Sequence, residues 1–300
     1  MQLDQLNNSD YSSPYTGRFA PSPTGPLHFG SVVAALGSYL QARKQNGRWL
    51  VRMEDVDIPR IQPGASDAIL RGLEALGLYW DGDIIYQSQR ESIYKDAISK
   101  LAGRNLTYGC ACTRKEVTGE RYAGTCRNGI PSGKQARSLR ILTNTDEIRF
   151  DDEIQGQYRQ NVEDEVGDFI ILRGDGLTSY HLAVVTDDAC QGVTEIVRGC
   201  DLLDSTPRQI YLQRLLDLPT PNYIHLPVAI DAQGRKISKQ NHAEAVLTEH
   251  PIPVLYNALK FLGQEPVKDL CGGNIEDVIQ WGIDHWSLVK VPGCMTIEVN

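Results

Sequence analysis

Between residues 18 and 31 the chain reads "RFAPSPTGPLHFGS", with three prolines, two glycines and a lone histidine directly ahead of a helical pattern. Prolines stiffen such a loop, and Gly25 and Gly30 let a ligand or neighbouring backbone come close. A helix N-terminus adds unpaired N–H groups and a partial positive charge, which suit a phosphate. His28 at that point can donate a hydrogen bond to a phosphate oxygen. On its own, a Pro/Gly turn before a helix is more often only a connection. The second stretch is "KISKQ" at 236–240, after the turn-prone "DAQGR". Lys236 and Lys239 on such a loop can close over a triphosphate and stabilise the charge that develops as pyrophosphate leaves. A loop lysine pair in isolation is usually just solvated.

A third constellation is "CACTRKEVTGERYAGTC". Cys110, Cys112 and Cys126 supply three soft ligands of the kind zinc prefers. No histidine lies in the segment, so the fourth ligand is Tyr122, Glu120 or a water. Three buried free thiols explain the same spacing equally well, because cysteine also behaves as a small buried hydrophobe. Cys190, Cys200, Cys271 and Cys294 are scattered and read as structural.

The elements that must position these residues follow an α/β pattern. "GRFAPS" reads as a short strand entering a turn, and "GSVVAALGSYLQARKQNG" as a helix ended by Asn46 and Gly47. "RWLVRMED" reads as a buried strand, which completes a parallel βαβ unit. "SDAILRGLEALG" follows as a helix capped by Ser66, and "SQRESIYKDAISKLAG" as another. From 105 to 188 the texture changes to Cys and Gly punctuation with short strand-like runs such as "DFIILRGDG", as in an insertion. The core pattern then resumes, with "STPRQIYLQRLLDL" a helix capped by Ser205 or Thr206 and Pro207 early in it. The expected organisation is a polar leader (1–14), the first half of a catalytic core (15–104), an insertion with the cysteine cluster (105–188), the second half of the core (189–242) and a short, mostly helical C-terminal region (243–300).

With 41% hydrophobic and 23% charged residues, the composition is that of a globular protein and excludes a fibrous or disordered class. The opening "MQLDQLNNSDYSSP" has neither the basic start nor the apolar run of a signal peptide, no stretch is long and apolar enough to span a bilayer, and a cytoplasmic monomer is expected. Seven cysteines without an export signal suggest thiols or metal ligands rather than a disulfide frame. A net charge of -8 argues against non-specific binding of long nucleic acid, so a nucleic-acid partner requires a local basic face.

Taken together, "PTGPLHFGS" and "KISK" resemble the HIGH and KMSKS signatures of class I aminoacyl-tRNA synthetases, and "RFAPSPTGPLHFGS" is similar to the glutamyl branch. "RMEDVD" at 52–57, "SYHLAVVTDD" at 179–188 and "GVTEIVRGCDLLDSTPRQIYL" at 192–212 extend the resemblance over most of residues 15–245. It departs at Phe29 (Ile in the signature), Ser31 (His), Ile237 (Met) and Gln240 (Ser). The resemblance implies a Rossmann-type parallel-sheet core with an inserted zinc-containing subdomain. It implies that Arg18, Phe19, Ala20, Pro21, Ser22, Glu54, Tyr180 and Arg198 surround glutamate. His28, Gly30, Lys236, Ser238 and Lys239 would serve ATP with its Mg²⁺, with His28 and Lys239 catalytic. Charge agrees with glutamate, since two arginines pair with carboxylates and Glu54 takes an ammonium group. Taken alone, Arg52, Glu54 and Asp55 read as a surface ion-pair set and Tyr180 as a core edge.

The cysteine segment resembles that of the shortened glutamyl paralogues, which makes Tyr122 the fourth ligand of a structural Zn²⁺. Only 60 residues follow the second loop, too few for an anticodon-reading domain pair. That resemblance implies activation of L-glutamate by ATP without tRNA and transfer to queuosine at the wobble position of tRNA(Asp), held by its anticodon stem-loop. The alternatives are a compact enzyme charging the 3′ end of tRNA(Glu), or a non-catalytic zinc-stabilised RNA-binding module.

Overall fold

The computed structural model describes residues 14–117, 119, 121–237 and 250–299. Ser238, Lys239 and Gln240 lie outside the described residues.

Strand β1 (Thr16–Phe19), helix α1 (Phe29–Lys44) and strand β2 (Arg48–Met53) form the expected parallel βαβ unit, with Arg18 opposite Leu50. Helix α1 ends in a Schellman motif. Asn46 takes φ 53°, its N–H donates to the Arg43 carbonyl, and the Gly47 N–H donates to that of Ala42. Helix α2 (Ala65–Ala75) starts two residues earlier than a Ser66 cap implies: Gly64 at φ 75° occupies the N-cap, and Ser66 lies inside the first turn. β3 (Ile85–Tyr86) extends the sheet beside β2 and leads to α3 (Glu91–Gly103).

Strands β4 (Thr107–Cys110), β5 (Ser138–Ile141) and β8 (Ile170–Leu172) make a small antiparallel sheet. Between β5 and β8 in sequence lie the antiparallel hairpin β6 (Glu147–Asp152) and β7 (Gly156–Asn161), and the turn-long α4 (Val162–Glu165). That hairpin does not stay with the small sheet, because β6 pairs in parallel with β10 (Asn222–Leu226), itself parallel to β9 (Glu195–Gly199). The sheet β7-β6-β10-β9 abuts β1-β2-β3 where the Thr194 N–H donates to the Thr16 carbonyl at 2.9 Å. Helices α5 (Tyr180–Gln191) and α6 (Thr206–Leu216) pack with α3 around a second core of Leu182, Val185, Ile210 and Leu212.

The caps expected of α6 are not made: Ser205 forms no side-chain cap bond, because a 3-10 turn (Cys200–Ser205) runs directly into the helix. Helices α7 (Pro251–Phe261) and α8 (Ile275–His285) bury Leu255, Leu259 and Ile279 in the same core as Val32, Leu36 and Leu40 of α1. The C-terminal region is not wholly helical: β12 (Thr296–Glu298) pairs in parallel with β11 (Val228–Ile230), an edge that the helical periodicity hides. Among the described residues, no helix is long and apolar enough to cross a membrane.

Candidate active site

In an open parallel sheet, ligands lodge beyond the carboxyl ends of the strands, where the strand order reverses. Here that point lies between β1 and β9, and a cavity of about 560 Å³ opens there. Its lining draws Arg18 to Ser22 from the end of β1, Glu54 from the end of β2 and Arg198 from β9, together with Tyr180, His28, Gly30 and Lys236. The described residues predicted for glutamate and ATP thus meet in one cavity. Ser31, noted in the sequence only as a departure from the signature, lines it as well, as do Thr24, Arg60 and Asp201, which the sequence did not single out.

The loop between β1 and α1 is held by its own backbone. The Pro21 carbonyl accepts from the Glu54 N–H, and the Pro23 carbonyl from the Gln62 N–H, both at 3.0 Å. Gly25 takes φ 141°, a conformation costly for any side chain. A Cβ at Gly30 would lie 3.2 Å from the Ile237 carbonyl and 3.3 Å from the His28 ring, so glycine lets the helix start press against the second loop. His28 is the N-cap of α1: its Nδ1 accepts from the Ser31 N–H at 3.2 Å. That bond leaves the ring proton of the neutral imidazole on Nε2. Phe29 meets Phe261 of α7 edge to face at 5.7 Å, so the departure from Ile ties the start of α1 to the C-terminal helices. Lys236 pairs with Asp201, Nζ to Oδ2 at 2.5 Å.

The acid and base residues form a buried network rather than a surface set. Arg52 is fully buried and donates to Asp188 Oδ1 at 2.8 Å and to Gln191 Oε1 at 2.7 Å, with Glu54 at 3.5 Å. Arg18 donates through Nε to the same Asp188 oxygen at 3.1 Å. Burial works against ionising Asp188, but Arg18 and Arg52 outweigh it and hold its carboxyl below the usual range. The balance is reversed at Glu54, where burial exceeds the pull of Arg52 and Arg18 and pushes the carboxyl up to about 7. Tyr180, the first residue of α5, is pushed up to about 12 by burial and by Glu54. Arg198 donates from Nε to His225 Nε2 at 3.0 Å and from Nη2 to Thr206 Oγ1 at 2.8 Å. Its Nη1 is buried with no hydrogen-bond partner among the described residues. Arg52 was expected only in a surface ion-pair set and Thr206 only as a helix cap, while Asp188 and His225 were not singled out at all. The signal for Arg52, Asp188 and His225 was a charged or polar residue inside an apolar run, as in "WLVRMED", "AVVTDDA" and "YIHLP".

Away from the cavity, the Cys110, Cys112 and Cys126 sulfurs converge within 4.8 Å of one another. The Tyr122 hydroxyl lies 3.3 Å from Cys110 Sγ and 3.6 Å from Cys112 Sγ, and it accepts from the Cys126 N–H at 3.1 Å. Cys112 and Cys126 sulfurs are 3.7 Å apart, close to the roughly 3.8 Å edge of a tetrahedron with Zn–S bonds of about 2.3 Å. The donor set fits zinc. Burial pushes the Cys110 thiol up, but hydrogen bonds from Tyr122 and Arg140 bring it down to about 7, toward the thiolate a metal needs. Arg140 also stacks its guanidinium 3.5 Å over the Tyr122 ring. The other thiols differ among themselves: Cys200 is buried, whereas Cys271 and Cys294 are exposed, so a structural role does not fit those two.

Residues 15–138 and 127–252 match the family described as tRNA synthetases class I (E and Q), catalytic domain. The chain is 52% identical over 291 residues to a glutamyl-Q tRNA(Asp) synthetase of Dechloromonas aromatica, covering 94% of this chain and 97% of that one. A protein of the same name from Aromatoleum aromaticum is 50% identical over 297 residues, with 96% and 94% covered. Among solved structures, a glutamate tRNA ligase from Elizabethkingia meningosepticum in complex with its amino acid superposes with a TM-score of 0.80 over 95% of this chain and 67% of that one. At 22% identity this is a likeness of fold.

Proposed function

Because the chain belongs to the class I tRNA synthetase family of the glutamate and glutamine enzymes, and is therefore a ligase, we propose that it activates L-glutamate with ATP without tRNA and transfers it to queuosine at the wobble position of tRNA(Asp). The observation that carries the amino-acid half is Arg198, a buried guanidinium lining the same cavity as Arg18 and Glu54, with its Nη1 lacking an acceptor. A buried N–H without an acceptor is costly, and a substrate carboxylate supplies one. The acceptor half is supported by the names of relatives that match this chain nearly end to end.

In this reading Arg18 and Arg198 pair with the carboxylates of glutamate and Glu54 pairs with its ammonium group. Tyr180 and the Phe19 to Ser22 loop close the cavity around its carbon chain. The α-carboxylate oxygen attacks the α-phosphorus of ATP; the bond to the β-phosphate breaks and pyrophosphate leaves. His28 donates to the phosphates from Nε2 beside Gly30, while Lys236, Ser238 and Lys239 complete the ATP loop and Lys239 stabilises the leaving pyrophosphate. Mg²⁺ bound to ATP would neutralise part of the charge on its phosphates. A hydroxyl of the queuosine cyclopentene diol then attacks the activated carbonyl, and AMP departs. Positioning and electrostatics carry both steps without a protein nucleophile. Cys110, Cys112, Tyr122 and Cys126 would hold a structural Zn²⁺ that keeps the inserted segment in shape.

Glutamate-dependent exchange between ATP and pyrophosphate without tRNA, followed by glutamate transfer to tRNA(Asp) only when it carries queuosine, is the expected result. Absence of exchange overturns the activation step, and charging of the 3′ end of tRNA(Glu) overturns the acceptor. Lys239→Ala should slow adenylate formation by about 10² to 10³, the usual loss for one preorganised charge-stabilising group. Near-normal exchange in that variant removes Lys239 from the mechanism.

A further inference from the structure

Three neighbouring parallel strands carry a polar row through an otherwise apolar core. Asp152 ends β6, His225 lies near the end of β10, and Arg198 lies opposite His225 on β9. Asp152 and His225 are buried, and neither lines the cavity. The Arg198 Nε carries only a hydrogen to donate, so His225 Nε2, 3.0 Å away, must present a lone pair. The imidazole proton therefore resides on Nδ1 and is donated to Asp152 Oδ2 at 2.6 Å.

The other oxygen of Asp152 is also engaged. Oδ1 accepts from the backbone N–H groups of Ile154, Gln155 and His225 at 2.9 to 3.3 Å. Those donors fix which edge of the carboxyl faces the ring. Burial pushes the imidazole down; Asp152 pulls it up, and the charge of Arg198 adds to the downward push, so His225 is neutral at neutral pH.

We infer that Asp152 and His225 are positioning residues for Arg198: the carboxylate fixes the imidazole tautomer, and the imidazole holds the Nε edge of the guanidinium so that Nη1 is kept for a substrate carboxylate. The inference rests on the assignment of glutamate to this cavity. It explains why a carboxylate and an imidazole are buried together at a place that does not line the cavity, where an apolar pair would pack as well.

The diagnostic variant is Asp152→Asn, which preserves shape. The three backbone donors hold the amide oxygen on their side, so the amide N–H group turns to His225 Nδ1. The ring proton must then move to Nε2, where it opposes the Arg198 N–H. Pyrophosphate exchange measured against both substrates should show the glutamate KM raised roughly 10- to 100-fold, the usual loss when the group orienting a ligand-binding residue is removed. The ATP KM should not change. His225→Leu should behave in the same way, and His225→Gln, whose amide oxygen can still accept from Arg198, should recover most of the loss. Nitrogen-15 NMR of the His225 ring should report the Nδ1–H tautomer in the wild-type protein and Nε2–H in Asp152→Asn. An unchanged glutamate KM in Asp152→Asn, an equal rise in both KM values, a Gln variant as poor as Leu, or a wild-type Nε2–H tautomer each overturns the proposal. A wild-type protein without glutamate-dependent exchange instead overturns the functional reading, and the tautomer of His225 still decides whether the relay exists.

Discussion

Glu54 is the residue whose environment most changes what it can do. Its carboxyl, pushed up to about 7 by burial, is largely neutral below that pH and ionised above it. Pairing with an ammonium group requires the ionised form, so kcat/KM for glutamate should rise with pH through about 7, the profile that reports the free enzyme. Glu54→Gln should lower the plateau and abolish the rise; a parallel rise in that variant would assign the titration to another group. The residue types at this site stand in "RFAPS", "RMED" and "IVRG", but alone they fit a surface ion-pair set, and only the resemblance to the glutamyl branch implied carboxylate and ammonium recognition there. Asp188 was not legible as the carboxylate that orients both Arg18 and Arg52, because it reaches them from α5, 170 residues away from Arg18 in sequence.

At the level of elements, local signals did well where they act within a few residues. Asn46 and Gly47 end α1 as their backbone preferences dictate. Ser205 failed as a cap because the 3-10 turn ahead of α6 is continuous with it, and Thr206 uses its hydroxyl to accept from Arg198. The cysteine segment shows the same division. Its spacing suggests three ligands, but only the fold brings the Tyr122 hydroxyl to 3.3 Å from Cys110. If the proposed zinc site is correct, elemental analysis should find a single zinc per chain, and Cys126→Ser or chelation should remove it, because three thiolates and one hydroxyl would hold it jointly. Limited proteolysis should then cut between 105 and 137, while glutamate-dependent exchange persists, since none of the four ligands lines the cavity. Zinc-free protein with an intact segment would end the structural role.

On the scale of the whole molecule, the C-terminal helices share the hydrophobic core that surrounds α1. Leu255 and Leu259 of α7 pack with α1, and Trp286 donates to Gln41, which in turn donates to Glu195 at the start of β9. Deleting the buried side chain in Leu259→Ala should cost about 2–5 kcal/mol. Urea unfolding followed by circular dichroism and by tryptophan fluorescence should show one coincident transition at lower denaturant. An early, separate transition for α7 and α8 would mean that they do not support α1. β12 acts at the same scale: the Val228 N–H donates to the Met295 carbonyl and the Val299 N–H to that of Ile230, bracing the strand that leads into the second loop. Removing residues 294–300 should therefore raise the KM for ATP more than that for glutamate, as steady-state exchange would register.

The sequence by itself determined the parallel α/β core, the phosphate-suited helix start at His28, the charge types of the residues proposed for glutamate and the thiol spacing. Each of these depends on residue type, or on periodicity and spacing between neighbouring segments, where chain geometry leaves few options. The tertiary structure alone decided which carboxylate holds which arginine, that Glu54 is buried enough to titrate near neutrality, and that Asp152 and His225 align behind Arg198. Those outcomes depend on strand register and burial across segments far apart in the chain, and neither quantity is written in any local pattern.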